Sequence, residues 1–406
     1  MASPRTKLTV WLAAMVLIHL WLLSRVRLRL EEGYPDFAIF YTAGRIVRSG
    51  AGTHLYDSRL QFEIQRQFAP LVHLRQGPLP FNHLPFEAVI FLPFAFLSYL
   101  RAYLVWICIN LLILVLVIAL MRAGLPHLFE EYPWYLWIFG CLGFFPIFIA
   151  LIQGQDVILL LLFYALAFTA LRDDREFAAG CWLALGLVKP QLVLPAIFVL
   201  LLQKRKRIGL GFLSVAVLLA VVSLAVVGWR AFLKYPAYVW SLELSLGRAA
   251  IAPSVMPNIR GLVCDLSQQS AGKFVLIIAI ALSLLGLVFA AAGWNRRELR
   301  NAPNLRFSLV IIATILASYH AYVYDLSLLI LPILWISEYV VANDLRGSNR
   351  TALLGPVLIL FCSPFYLLLL LRIDHFSAMA LVLALWFFVI ICEIRRGVGV
   401  PLAQGA

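Results

Sequence analysis

Long apolar runs alternate with short polar breaks along nearly the whole chain. The first covers residues 8–28. Others lie at 84–100, 102–121, 134–152, 156–171, 177–202, 208–228, 272–294, 307–319, 324–342, 352–371 and 376–394. A membrane-crossing helix needs about 20 apolar residues, so the pattern predicts an all-α polytopic bundle of about eleven to twelve membrane helices. The runs lack the period-two alternation of a lipid-facing barrel strand, which excludes a β-barrel. Two longer polar stretches interrupt the pattern, at 29–82 and 229–271. In the first, Phe40, Ala43, Ile46 and Val47 recur at helical spacing. This predicts a short amphipathic helix in the interface, ended by Gly50 and Gly52. The segment "LYDSRLQFEIQRQF" reads as a second such helix. No internal repeat is evident, and residues 1–406 read as one transmembrane domain.

Composition agrees. The chain is 63% hydrophobic and 13% charged, about half the charged share of a soluble domain. The net charge of +13 would suggest nucleic acid in a soluble protein. Here the basic residues cluster in short loops: Lys204 to Arg207, Arg296, Arg297 and Arg300, and Arg395 with Arg396. That is the pattern of cytoplasmic loops, with anionic lipid headgroups as incidental contacts. Arg5 and Lys7 place the N-terminus on the same side, the C-terminus follows, and both long polar stretches then face outside. The first run has no small-residue cleavage site after it and reads as a retained span. Five of the six cysteines fall inside apolar runs and no CxxC occurs, so neither a disulfide framework nor a zinc site is indicated.

The topology of 84–202 has two readings. If every run crosses, "QGQD" is cytoplasmic and "RDDRE" external. If 177–202 splits at "KPQ" into two half-length helices, Lys189 sits at a buried tip and "RDDRE" shares a side with the basic cluster at 204–207. Pro190 and Pro195 break that run. The split also requires one run within 84–121 not to cross, and Pro93 lies there.

Chemistry-bearing residues are few. Asp36 follows the first span, where partial burial by neighbouring aromatics could tune a general base. As a helix cap it would need no such role. Lys189 is a cation flanked by apolar sequence; an ionisable residue at membrane depth suggests function, and phosphate suits a compact ammonium. Snorkelling is the plainer account. Gln155 of "QGQD" and Gln191 are polar groups in the same apolar region. "SYHAYVYDLSLL" clusters Tyr319, His320, Tyr324 and Asp325, of which His320 and Asp325 are costly to bury unpaired. The tyrosines also fit an interface belt. Asn258 and Arg260 lie in the second polar stretch, where Arg260 could clamp a phosphate or a sugar hydroxyl. In and just after the first stretch, His54, Tyr56, Asp57, Asn82 and His83 are candidate sugar contacts, and Tyr41 a candidate substrate contact. No nucleotide-binding motif occurs, so a sugar donor would have to be lipid-borne.

The blocks "PDFAIFYTAGRIVRSGAGTHLYD", "FNHLPFEAVIFLPFAFLSYL", "LIQGQDVILLLL", "AAGCWLALGLVKPQLVLP" and "SYHAYVYDLSLLILP" together resemble glycosyltransferase family 87, over about residues 8–340. This is a bacterial branch of the GT-C membrane glycosyltransferases. It includes polyprenol-phosphate-mannose-dependent α-1,2-mannosyltransferases and related arabinofuranosyltransferases. The resemblance implies a GT-C fold in the bacterial inner membrane with an external active site. It also implies a polyprenyl-phosphate sugar as donor, a lipid or glycan as acceptor, and inversion at the transferred sugar. The acid of the first external loop matches Asp36, the lysine before proline matches Lys189, and the late-loop histidine matches His320. Two departures are "GQD" where many relatives carry GQ followed by Asn or Ser, and a Tyr-rich late loop.

On this reading Asp36 takes the acceptor proton while Lys189, with His320 or Arg260, stabilises the leaving phosphate. With no second acid apparent beside Asp36, neither a metal nor another cofactor is expected. A transporter, with Lys189 and the glutamines lining a substrate path, is the main rival. The repeated halves usual in transporters are absent.

Overall fold

The computed structural model describes all residues except 1–2, 32–34, 70–77, 245–252, 268–272, 295–302 and 397–406. Arg296, Arg297 and Arg300 therefore lie outside the described residues. Among the described residues every regular element is helical. The elements used below are α1 (Pro4–Glu31), α2 (Phe37–Arg48), α3 (Ser58–Gln65), α4 (Tyr99–Met121), α5 (Trp134–Leu142), α6 (Phe145–Gln153), α7 (Val157–Arg172), α8 (Glu176–Leu185), α9 (Pro190–Leu202), α10 (Lys206–Leu244) and α11 (Ile259–Ser267). They continue with α12 (Lys273–Trp294), α13 (Pro303–Ala317), α14 (Ile330–Ala342), α15 (Gly347–Leu360), α16 (Ser363–Leu368) and α17 (Met379–Arg396).

Among the described residues, six helical segments are long and apolar enough to cross a membrane singly. Two bent pairs, α5 with α6 (63°) and α15 with α16 and its extension (58°), bring the number to eight. The apolar runs numbered more because several do not form full-length helices. Residues 84–98 fold into short turns around Glu87–Ile90 and Pro93–Phe96. Helices α7 and α13 have 16 and 15 residues.

The run 177–202 splits at Lys189. Gly186–Val188 tightens the end of α8, Lys189 leaves helical geometry, and Pro190 opens α9 at a position where a missing N–H costs nothing. A straight continuation would carry the two ends about 40 Å apart. Instead Arg205 Nη1 lies 3.3 Å from the Glu176 carboxylate. Gly180 meets the backbone of Ile208, and Gly211 that of Phe177, so closely that neither site has room for a Cβ. The chain therefore doubles back, and each thirteen-residue arm reaches about 20 Å into a layer about 30 Å thick. This is the split topology, with "RDDRE" and the 204–207 basic cluster at one end and Lys189 at the buried tip.

Helix α10 runs 39 residues with a break at Gly228, where φ is 73°. Much of 229–271, expected as loop, is thus helix up to residue 244 and again in α11. Helix α2 forms where its periodicity placed it, and eight of its twelve residues are buried. It packs with Phe81, Phe91, Phe94, Tyr99 and Trp106 into an aromatic core separate from that of the main bundle. Gly44 lies so close to the Phe91 carbonyl that a Cβ there would collide with backbone. This second core fixes Asp36, the residue just before α2, relative to the bundle.

Candidate functional site

Four chain breaks converge at one end of the bundle. Asp36 precedes α2, Gln155 and Asp156 lie between α6 and α7, Lys189 lies between α8 and α9, and residues 318–325 follow α13. Gly154 ends α6 in the left-handed region (φ 61°). A Cβ there would stand 2.7 Å from the Phe37 Cβ and 3.3 Å from the Tyr103 ring. Only glycine permits both the turn and this approach. Its consequence is that Gln155 faces Asp36.

Gln155 is the hinge of the site. Its Nε2 donates to Asp36 Oδ2 at 2.8 Å, and its Oε1 accepts from Lys189 Nζ at 3.2 Å. The amide orientation follows from its partners, one of which only accepts while the other only donates. The Asp36 backbone N–H donates to Gln153 Oε1 at 3.0 Å. The acid and the buried cation, separated by more than 150 residues in the chain, are thus joined through one side chain.

Lys189 is 3% exposed. Its ammonium lies 3.0 Å from Asp156 and 3.3 Å from Asp325, with the Tyr324 ring 5.1 Å away. Both acids are fully buried. Asp325 Oδ2 also accepts the Tyr322 backbone N–H at 2.8 Å. Asp156 sits at the N-terminal end of α7, where the helix dipole favours an anion.

A second acid–base pair adjoins the first. His83 Nδ1 lies 2.9 Å from Glu87 and 3.9 Å from Asp156. Burial alone would lower the His83 imidazole, but the carboxylates of Glu87 and Asp156 outweigh it and hold it above the usual histidine range. Burial pushes the Glu87 carboxyl up to about 8, against the opposing pull of His83. His83, Glu87 and Asp156 each offer a ligand atom within 4.8 Å of the others, a donor set that could hold a metal ion.

His320 is lowered to about 3 by burial, with Lys189 and Arg260 adding to the effect. It is therefore a neutral imidazole, with its ring edge-on to Tyr322 at 4.6 Å. Arg260 donates to the Tyr319 carbonyl at 3.1 Å and stacks on the Tyr319 ring at 4.0 Å.

Several residues singled out from the sequence serve the scaffold here. Asp57 caps α3, accepting the N–H groups of Arg59 and Leu60. The Tyr41 hydroxyl donates to the Leu97 carbonyl, and that of Tyr56 to the His83 carbonyl. Asn258, fully buried, ties α11 to the Ser318 carbonyl. Gln191 is half-buried in the first turn of α9. Asp156 and Asp325 lie two side chains from Asp36, through Gln155 and Lys189, and Glu87 adjoins Asp156. Glu87 was missed because "FEAVIF" reads as a span. Its four-residue spacing from His83 was the available signal.

A polytopic all-helical bundle with a buried ionic cluster at one end is a membrane protein built around a polar reaction or transport site. The family model for glycosyltransferase family 87 matches residues 81–332, more than half the chain, and the chain belongs to that family. It is accordingly a membrane glycosyltransferase, using a sugar donor and an acceptor. No curated protein and no solved structure matches it. Glu87, Gln155, Asp156, Lys189, Arg260, His320 and Asp325 fall within the matched residues, and Asp36 precedes them.

Proposed function

We propose that the enzyme transfers a sugar, mannose-like in type, from a polyprenyl-phosphate donor to a lipid-linked or glycan acceptor at the external face of the membrane. Asp36 acts as general base. The observation that carries this reading is the Asp36–Gln155–Lys189 connection, which sets a carboxylate and a cation on opposite sides of one amide.

The acceptor hydroxyl attacks the anomeric carbon as Asp36 takes its proton. The bond from that carbon to the phosphate oxygen breaks on the opposite face, which inverts the centre and releases polyprenyl phosphate. Charge grows on the phosphate as the bond lengthens. A fixed cation and a neutral imidazole donor are suited to oppose it in a site with little water. Lys189 and His320 supply these, with Arg260 nearby.

An apolar cavity of about 520 Å³ supports a lipid-borne substrate. It lies between α1, α4 and α6, and its wall includes Tyr103, Leu151 and Ile152. The Tyr103 hydroxyl donates to the Ile152 carbonyl at 2.7 Å, just before the Gln153–Gln155 turn. An isoprenoid tail entering from lipid between α1 and α4 would bring its phosphate to that turn.

The test is Asp36→Asn with a panel of polyprenyl-phosphate sugars. Turnover should fall by about 10² to 10⁴ with donor binding retained. Full transfer by the variant would remove Asp36 from the base role.

A further inference from the structure

The balance of charge in the site is uneven. Glu87, Asp156 and Asp325 share one ammonium, that of Lys189, and one imidazole, that of His83. With the imidazole protonated and all three carboxyls ionised, these five groups carry a net negative charge before Asp36 is counted, and the raised Glu87 carboxyl relieves it only by keeping a proton. Glu87 is completely buried. Beyond the ion pairs with His83 and Lys189 and their contact with each other, the carboxylates of Glu87 and Asp156 receive no hydrogen bond among the described residues. Buried carboxyls facing each other in this way need a shared proton or a further cation. A phosphate brought to Lys189 would enlarge the deficit.

The geometry points to a divalent metal ion held by His83 Nδ1, Glu87 and Asp156 Oδ2, beside Lys189. In a six-coordinate site with bonds of about 2.1 Å, neighbouring ligand atoms stand about 3 Å apart and opposite ones about 4.2 Å. The separations of 2.9 Å and 3.9 Å from His83 Nδ1 fall in that range. Asp156 has two oxygens, so Oδ1 remains with Lys189 while Oδ2 turns to His83. One imidazole and two carboxylates suit Mn²⁺ or a similar first-row ion better than Mg²⁺, which prefers oxygen alone.

The ligand set is also held in place from outside. The Tyr56 hydroxyl fixes the His83 carbonyl at 2.9 Å, and the Phe40 ring lies 4.9 Å from the imidazole, nearly edge-on. The first contact fixes the His83 backbone and the second limits where its ring can lie. The ion would offset the surplus beside Lys189. This role, unlike the site itself, rests on the proposal that Lys189 meets a donor phosphate.

The test reads binding rather than transfer. Chelator-treated full-length protein in detergent is titrated with MnCl₂ and followed by electron paramagnetic resonance and by calorimetry. One Mn²⁺ per chain should bind. Glu87→Gln, and separately His83→Asn, should weaken it by at least about tenfold. Mn²⁺ should also raise the unfolding temperature of the wild type but not of Glu87→Gln. Absence of saturable binding by the wild type up to about 1 mM overturns the site, leaving a carboxyl pair that shares a proton. Unchanged binding in both variants also overturns it. A chain that binds Mn²⁺ yet transfers no sugar would refute the proposed reaction and keep the metal site.

Discussion

Replacing Lys189 by methionine tests the centre of the site with little change of volume. The substitution leaves Asp156 and Asp325 buried with their shared cation gone. At an effective dielectric of about 20, each pair at these separations is worth about 5 kcal/mol of Coulomb attraction. Desolvation cancels much of that in the intact pair, but once the ammonium is absent the two carboxylates keep only the more distant His83 imidazole and the Tyr322 N–H among the described residues. Removing one partner of a buried pair costs about 3–5 kcal/mol, and Lys189→Met should lie in that range. Adding Asp325→Asn removes one of the stranded charges, so the double variant should recover at least about 1 kcal/mol relative to the sum of the singles. Denaturant unfolding in mixed micelles, followed by tryptophan fluorescence, reads both quantities. A cost for Lys189→Met below about 1 kcal/mol, or additivity of the two changes within about 0.5 kcal/mol, would refute the buried network.

Three further outcomes follow from the same geometry. Gln155→Leu keeps the shape but breaks both hydrogen bonds to charged groups, each worth about 1.5–3 kcal/mol; transfer should fall at least about tenfold, and unchanged turnover would show the amide to be incidental. Gly180→Ala drives a methyl into the Ile208 carbonyl where α8 meets α10, so the unfolding midpoint should drop by an amount equivalent to about 1–3 kcal/mol; a neutral result would mean the two arms are not tightly packed. His320, lowered to about 3 by burial, stays neutral in the folded state as pH falls below the unfolded value of about 6.5. Its contribution to stability is therefore present above about pH 6.5 and lost as the pH falls from there towards about 3. A labelled His320 imidazole that titrates near 6.5 would contradict that enclosure.

How much could be read from the residues alone differs between the fold and the site. Apolar run length and loop charge are local properties, and they established a helical membrane protein with a polar stretch after its first span. The "KPQ" break was equally legible, because proline and a lysine in an apolar run each carry a local cost. Asp36, Lys189 and His320 stood out for the same reason, as ionisable groups where water is scarce. What they touch was not legible. The Gln155 bridge, the two acids on Lys189 and the approach of Asp156 to His83 and Glu87 join segments tens to hundreds of residues apart, and no sequence period records such pairings. Asp57, Asn258 and Tyr41 show the converse. Their polar groups resemble substrate contacts in sequence, yet backbone partners at helix ends and turns claim them. Local composition therefore determined which groups had to be compensated, and only the packing of α2, α6 and the α8–α9 hairpin against one another decided by what.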